Sequence, residues 1–233
     1  MCERALPNKN TREMDWLYRA GRLSGRFIFL CTMRVKVIRP EMLRPDDACL
    51  VACTHLSHLD PFLLGVLMRR PVDWMARVEF YRARPIKWLL NGINAFAVRR
   101  FGVPVSAIRT GLKRLEAGRV VGICPEGGVT QGADACIRGG PIKRGVCLLS
   151  YRTGAPVLPV VLLGSDKLNC VAPWLPFKHA RIWVAFGDRL IRPRRDLDRK
   201  TARRVMAEEL QAEYQKLYAE LLNTCALDAN AIP

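Results

Sequence analysis

Long apolar runs are missing from this sequence. Half of the 233 residues are apolar, yet no uninterrupted stretch approaches the roughly 18 residues that a membrane-spanning helix needs. The first fifteen residues are polar and charged, which is not the pattern of a secretory leader. The nine cysteines lack the paired spacing of a disulfide framework, and their odd number favours reduced thiols in a cytosolic setting. We therefore expect a chain that does not cross a bilayer.

Negative charge is also scarce. Only 21 aspartates and glutamates stand against 38 lysines and arginines, so the formal net charge is +17. An excess of this size favours an anionic partner, and composition alone leaves open whether that partner is nucleic acid, acidic lipid or a phosphorylated substrate. Solubility alone is the simplest interpretation of the same charge.

Short apolar runs alternate with amphipathic segments along most of the chain. Seven runs are predicted as strands, at 35–38, 48–53, 72–76, 94–98, 119–124, 156–163 and 181–186. Helical patterns lie between them, and a long charged helix is predicted at 198–222. This alternation indicates one α/β domain over 35–233, with a mostly parallel sheet flanked by helices and a C-terminal helix.

Residues 1–34 are predicted to form a separate amphipathic helical segment. One face carries apolar residues at helical spacing, with arginines between them: Trp16, Ala20, Leu23, Phe27 and Leu30. A basic amphipathic helix of this kind suits a membrane interface, whereas packing against the domain explains the same pattern. The expected location is the cytoplasmic face of a membrane, with peripheral or monotopic attachment.

Histidine is rare, and two of the three histidines lie in CTHLSHLDPF, residues 53–62. A strand rises about 3.3 Å per residue, so His55 and Asp60 can meet only if the chain turns between them. Asp60 is predicted to cap a helix that begins at Pro61, which supplies that turn. Asp60 could then accept the Nδ1 proton of His55 and leave Nε2 as a general base for a hydroxyl.

Other interpretations of this stretch remain open. His55 could be a structural histidine that is satisfied by the backbone. A metal site would draw on Cys49, Cys53, His55 and His58, but the segment between the two cysteines is predicted as strand and not as a reversing loop, so no metal is predicted. Neither the G-x-S-x-G elbow of serine hydrolases nor a P-loop lysine motif occurs, which counts against both of those classes.

Polar residues directly follow three predicted strands. His55 follows 48–53, the pair Arg99 and Arg100 follows 94–98, and Glu126 follows 119–124. Ligands bind beyond the carboxyl ends of parallel strands, so these residues are expected to share one pocket. The adjacent glycines 127 and 128 can bring backbone N–H groups close to a ligand, although an ordinary glycine-rich turn explains them as well.

Taken in order, these segments resemble the glycerolipid acyltransferase family, whose HX4D block is N-H-x-S-x-x-D. THLSHLD supplies His55, Ser57 and Asp60 of that block, and NAFAVRR resembles the second block, with Arg100 at its arginine. CPEGGVT is similar to the third block, F-P-E-G-T-R-S, and APVLPVVLLG is similar to the fourth, V-P-V-x-P-V. KRG at 143–145 lies where the family often has K-x-G. The resemblance covers about 35–190.

The resemblance implies transfer of an acyl group from acyl-CoA or acyl-carrier protein to the hydroxyl of a lysophospholipid, with 1-acylglycerol-3-phosphate as the leading acceptor and phosphatidate as the product. His55 would be the general base, oriented by Asp60, with no acyl-enzyme, metal or cofactor required. The implied substrate-binding residues are Ser57, Arg99, Arg100, Glu126, Gly127, Gly128 and Lys143. The implied partners are an anionic membrane surface, the lysophospholipid and the acyl donor, with no nucleic acid.

Two departures from the family pattern affect the acceptor. Thr54 replaces the asparagine before the histidine, and Gly128-Val129 replaces Thr-Arg in the third block, so a cationic phosphate contact is missing. The candidates to replace it are Arg99, Arg138, Lys143 and Arg144. Another lysolipid, including a lyso-amino-acid lipid, therefore remains an alternative acceptor. A non-catalytic basic module for nucleic acid or anionic membrane is the alternative of another class, based on the basic but non-aromatic segment 192–204.

Overall fold

A computed structural model describes residues 18, 20–27, 33–43, 45–99, 104–168 and 180–227. Its helices are α1 (20–27), α2 (Asp60–Leu67), α3 (Arg84–Gly92), α4 (Val105–Glu116), α5 (Gly145–Thr153) and α6 (Arg199–Cys225). Its strands are β1 (Met33–Ile38), β2 (Leu50–Cys53), β3 (Val72–Arg77), β4 (Phe96–Val98), β5 (Val120–Ile123), β6 (Val157–Leu163) and β7 (Ala180–Phe186). All seven predicted strands are present.

The strands form one sheet in the order β1-β7-β6-β2-β5-β3-β4. Every neighbouring pair is parallel except β6 and β7, so β1 and β7 run opposite to the other five strands. The prediction of a mostly parallel sheet with flanking helices and a C-terminal helix is confirmed. Because β2, β5, β3 and β4 are parallel neighbours, the loops that follow them meet at one edge of the sheet.

Both faces of the central strands are buried, which explains why their sequences are continuously apolar. Leu50 and Ala52 of β2 face α4, α5 and α6, while Val51 and Cys53 face the opposite layer, which contains α2. The strand β6 is buried at every position. A core on both faces fixes the register of β2, and with it the position of the loop that follows this strand.

Helix α6 is anchored at its start and along one face. Asp198 caps it by accepting the N–H groups of Lys200 at 2.8 Å and Thr201 at 3.2 Å. Residues at helical spacing are buried against the sheet: Met206, Leu210, Tyr214, Leu217 and Leu221. The hydroxyl of Tyr214 donates to the carbonyl of Ala52 at 3.0 Å, so this helix contacts β2 directly. The helix that was predicted only as a long charged element therefore packs against the sheet next to β2.

The predicted interfacial segment is described only in part, and Trp16 and Leu30 lie outside the described residues. Tyr18 is buried beside α2, and its hydroxyl accepts the N–H of Val72 at 3.3 Å. In α1, Leu23 and Phe27 are 72% and 71% exposed. Strand β1 begins at Met33, inside the segment assigned to 1–34. Within the described residues, no helix combines the length and the apolar character that crossing a bilayer requires.

A glycine in β5 positions an aromatic wall of the site. Gly122 pairs with Trp74 of β3, and a Cβ atom at residue 122 would clash with the six-membered part of the indole. We expect Gly122→Ala to displace the ring and lower the free energy of unfolding by about 1–3 kcal/mol, measured by urea denaturation. Gly21→Ala is the control, because residue 21 is exposed and has no atom near the added Cβ. Equal stability of Gly122→Ala and the parent chain would contradict the packing.

Candidate active site

His55 lies in the loop between β2 and α2, and its backbone is held on both sides. Its N–H donates to Oε2 of Glu126 at 2.6 Å, and its carbonyl accepts the N–H of Thr130 at 3.1 Å. The side chain is 12% exposed and lines a large cavity. The loop after β2 is thus fixed to the loop after β5, as expected for two parallel strands that end at the same edge.

Asp60 closes the turn between His55 and α2. Its Oδ2 accepts the N–H groups of Leu56 at 2.8 Å and Ser57 at 2.7 Å, and lies 3.3 Å from Nδ1 of His55. The predicted meeting of His55 and Asp60 is confirmed. The predicted cap is wrong: Asp60 is the first helical residue, and its side chain makes no capping bond to the helix. Its carboxylate turns back to the loop instead, because that is where the two backbone donors lie.

Two buried hydroxyls support the same loop. The hydroxyl of Thr54 accepts the N–H of Leu162 in β6 at 3.0 Å, and that of Ser57 accepts the N–H of Leu59 at 3.3 Å. Both side chains are fully buried. Thr54 therefore ties the loop to β6 at the position where the resembled family has asparagine. The predicted contact of Ser57 with substrate stays a prediction.

Glu126 joins three segments of the site. Its Oε2 binds the N–H of His55, and its Oε1 accepts the N–H of Cys136 at 2.9 Å. The residue is only 7% exposed. Both carboxylate oxygens are thus engaged by backbone, and a direct contact of Glu126 with the acceptor stays a prediction. Gly127 has a φ of +75°, and the side chain of Lys143 lies where a Cβ atom at residue 127 would stand, so this position requires glycine.

A cavity of about 800 Å³ opens beside His55. Most of its wall is apolar and comes from β3, α3, α4 and α5: Trp74, Met75, Leu90, Ala107, Ile108, Leu148 and Leu149. This volume lies within the range of ligand pockets. An apolar wall with a histidine–carboxylate pair at its edge can hold a hydrocarbon chain while a polar end reacts.

The charged residues that line the cavity are cationic. Arg77 contributes from β3, Arg99, Lys143 and Arg144 contribute from the loops, and Arg203 contributes from α6. Nε of Arg203 is buried and has no hydrogen-bond partner among the described residues. The sequence did not single out Arg203, because it belongs to a long charged helix that carries no motif. Arg100 lies outside the described residues, and Arg138 stacks on Tyr218, with 5.9 Å from its guanidinium carbon to the ring centre.

Cys124, which follows β5, is a second residue that sequence reasoning did not single out. Its sulfur lies 3.4 Å from that of Cys53, and it lines the same cavity as His55. The only signal in the sequence was its position, since the third block of the resembled family has phenylalanine there. Among the described residues, no three histidine, cysteine or carboxylate side chains converge as a metal ion would need.

The electrostatics of His55 and Cys124 are linked. Burial alone lowers the pKa of His55, but the neighbouring Cys124 and Asp60 outweigh burial and raise it to about 10. The hydrogen bond from Cys53 and the adjacent imidazole lower the pKa of Cys124 to about 6, against the effect of burial. The protonation of each group therefore depends on that of the other.

With this geometry established, comparison with known proteins decides the family. The sequence model for the family described as Acyltransferase matches residues 34–163 of the 233. The chain belongs to the acyltransferase family. Its fold is that of the crystal structure of the 1-acyl-sn-glycerophosphate (LPA) acyltransferase PlsC from Thermotoga maritima, with a TM-score of 0.68 at 20% identity, covering 92% of this chain and 85% of the other.

Three relatives carry the name 1-acyl-sn-glycerol-3-phosphate acyltransferase. The Bacillus subtilis protein is 34% identical over 134 residues, which is 57% of this chain and 64% of the relative. The chloroplastic BAT2 protein of Brassica napus is 23% identical over 167 residues, covering 71% and 47% of the two chains. The Borreliella burgdorferi protein is 22% identical over 142 residues, covering 60% and 55%. The chain therefore spans less than two thirds of each of these relatives.

A substitution of Glu126 tests whether its hydrogen bonds to the backbone hold the loop of His55 in place. In Glu126→Gln, the amide NH₂ faces one of the two backbone donors and leaves it unpaired, so we expect the free energy of unfolding to fall by about 1–3 kcal/mol. We also expect slower acyl transfer, because the loop of His55 loses its anchor. Glu208→Gln is the matched control, since Glu208 is exposed and its ion-pair partner on the surface is Arg204, at 3.0 Å. The anchoring role is rejected if Glu126→Gln and Glu208→Gln have the same stability and activity.

Proposed function

We propose that this acyltransferase moves a fatty acyl group from acyl-CoA or acyl-carrier protein to the hydroxyl of a lysophospholipid, with 1-acylglycerol-3-phosphate as the acceptor and phosphatidate as the product. The observation that carries the proposal is the His55–Asp60 pair at the edge of a large apolar cavity whose charged residues are cationic. The names of the three relatives support the same acceptor. No metal or cofactor takes part in the proposed reaction.

His55 is the proposed general base. Asp60 holds Nδ1, so the other ring nitrogen takes the proton of the acceptor hydroxyl while the hydroxyl oxygen attacks a thioester carbonyl. The tetrahedral intermediate then expels the thiolate, which leaves as a thiol once the histidine returns the proton. Because Asp60 is fully buried and bonded to two backbone N–H groups, it can hold the ring without moving.

The acceptor phosphate is proposed to lie against the cationic part of the cavity wall. Gly128-Val129 supplies no charge where the resembled family has an arginine, and the side chains of Lys143, Arg144 and Arg203 are near enough to take its place. Arg203 is the strongest of the three, because it is half-buried and Nε lacks a partner among the described residues. Another lysolipid stays an alternative acceptor, since the phosphate contact of the third block is missing.

The proposed location is an anionic membrane surface on the cytoplasmic side. Large apolar side chains stand exposed around the cavity and on α1, among them Leu23, Phe27, Phe80, Ile86 and Trp88. Arg84 and Lys87 of α3 are exposed beside them. Apolar side chains ringed by cations suit the interface of an anionic leaflet. Phe80 and Ile86 also line the cavity, so a lipid could pass from the membrane into it.

A panel of lysolipids tests the proposal. The full chain is incubated with labelled acyl-CoA or acyl-carrier protein and with lysolipids in anionic and in neutral vesicles. We expect an acylated product from 1-acylglycerol-3-phosphate, formed faster on anionic vesicles. We expect His55→Ala to lose about 10²–10⁴-fold in rate while keeping its circular dichroism spectrum, because the hydroxyl then has no base. Lack of product with every acceptor would rule out the proposed function, and an active His55→Ala would rule out the base.

A pair of adjacent arginines tests the phosphate contact. We expect Arg203→Gln to raise KM for 1-acylglycerol-3-phosphate about 10-fold or more, because a charge-assisted hydrogen bond of about 1.5–3 kcal/mol is lost. The KM for an uncharged lysolipid acceptor, where one is used, should change little. Arg204→Gln is the control, since Arg204 is exposed and pairs with Glu208 at 3.0 Å. Equal KM values for the two variants would place the phosphate elsewhere.

A further inference from the structure

Cys53 and Cys124 are a pair of thiols that have no part in direct acyl transfer. The register of β2 and β5 places Ala52 opposite Ile123, so the residues that follow them, Cys53 and Cys124, lie opposite each other where the two strands end. The two sulfur atoms are 3.4 Å apart. A disulfide joins sulfurs at about 2.05 Å, so a small movement of the two side chains would bring them within bonding distance.

The two thiols differ in their access to solvent. Cys53 is fully buried in the layer that contains α2, whereas Cys124 is half-buried and lines the cavity beside His55. A small oxidant that enters the cavity therefore meets the Cys124 sulfur first. The hydrogen bond from Cys53 also lowers the pKa of Cys124, which favours its reactive thiolate form. An accessible thiol with a second thiol directly behind it is the arrangement of a redox-sensitive pair.

We propose that Cys53 and Cys124 form a reversible disulfide that slows acyl transfer when a hydroperoxide such as hydrogen peroxide is present. This inference rests on the proposed function, because it concerns the regulation of the same site. The reduced chain is the active form, in agreement with the reduced thiols expected in a cytosolic setting, where disulfides are typically transient.

The disulfide forms in two steps. The Cys124 thiolate attacks one oxygen of hydrogen peroxide, the O–O bond breaks, and the departing hydroxide takes up the proton that the thiol had lost. The resulting sulfenic acid is then attacked by the sulfur of Cys53, the S–O bond breaks, and the second hydroxide leaves as water with the Cys53 proton. In total, two thiols are oxidised and one hydrogen peroxide is reduced to two waters. A dithiol reverses the reaction by thiol–disulfide exchange.

The new bond would act on the loops that orient His55. Neighbouring strands are about 4.7–4.9 Å apart, whereas the Cβ atoms of a disulfide are about 3.5–4.5 Å apart, so the bond draws the ends of β2 and β5 together. His55 lies two residues after Cys53, and Glu126 lies two residues after Cys124. The N–H of His55 donates to Glu126 at 2.6 Å, so a change at the strand ends reaches both partners of this bond. We therefore expect the imidazole to leave its position in the reduced chain.

Mapping the disulfide in the parent chain is the first test, and it needs no variant. The reduced chain is treated with hydrogen peroxide and unfolded, its remaining thiols are blocked, and tryptic peptides are analysed with and without reduction. We expect a link between peptides 37–69 and 120–138 that is lost on reduction. Fragmentation assigns the linked residues, because these peptides also contain Cys49 and Cys136. Cys124 oxidised without a link to Cys53, or left unoxidised, overturns the inference.

The rate of acyl transfer after the same treatment is the second test. We expect the rate of the parent chain to fall by about 10-fold or more and to recover with dithiothreitol, since displacing a reacting group by about 1 Å can cost about 10²-fold. Cys124→Ser cannot form the bond, so we expect peroxide to leave this variant at its own untreated rate. Cys53→Ala, which also lacks the bond, takes its place if serine disturbs the fold.

Cys225→Ala is the matched control, because that half-buried thiol lies at the end of α6 and is not among the residues that line the cavity. We expect peroxide to slow this variant as much as the parent chain. An equal loss of rate in the parent chain and Cys124→Ser, or a fully linked chain that keeps the untreated rate, overturns the inference. An untreated chain that forms no product from any lysolipid defeats the proposed function instead, and the peptide map detects the disulfide independently of that result.

Discussion

The bond between the backbone N–H of His55 and the buried carboxylate of Glu126 is the constraint on which the site depends. It joins the loops after β2 and β5, and the second oxygen of Glu126 extends the joint to Cys136. Asp60 does the same within its own loop by accepting two N–H groups. Two buried carboxylates thus take four backbone donors that the end of β2 and its neighbouring loops would otherwise leave without partners. The imidazole is oriented as a consequence.

This arrangement explains why negative charge collects at one point of a strongly cationic chain. Asp60 and Glu126 bind His55, and Cys124, whose pKa is lowered, lines the same cavity, while the other charged side chains that line it are arginines and Lys143. The negative groups face the imidazole and backbone donors, and the cations face the space where a substrate would lie. The net charge of +17 therefore leaves cations that can face an anionic ligand, although the carboxylates nearest to His55 are anionic.

Patterns within short segments predicted the strands, the parallel sheet and the meeting of His55 with Asp60, because each depends on hydrophobic period or on one local turn. Contacts between distant segments were not predictable in this way. Arg203 reaches the cavity only because Met206, Leu210 and Tyr214 hold α6 against the sheet, and Cys124 lines the same cavity as His55 only because β5 pairs with β2. The cap at Asp60 was misplaced by one residue, since the preference of aspartate for caps does not reveal that donors lie in the preceding loop.

The position of Arg203 bears on how one fold in this family could accept different lipids. The family match ends at residue 163, the last residue of β6, so it contains His55, Asp60 and the loop after β5, but not α6. The proposed base and its carboxylate therefore belong to the matched part, while Arg203, one of the cations that line the cavity, belongs to a helix outside it. Gly128-Val129 lacks the arginine that the resembled family has in the matched part. Arg203 of α6 can supply a positive charge to the same cavity. Acceptor preference can then change through α6 without disturbing the buried carboxylates that hold His55.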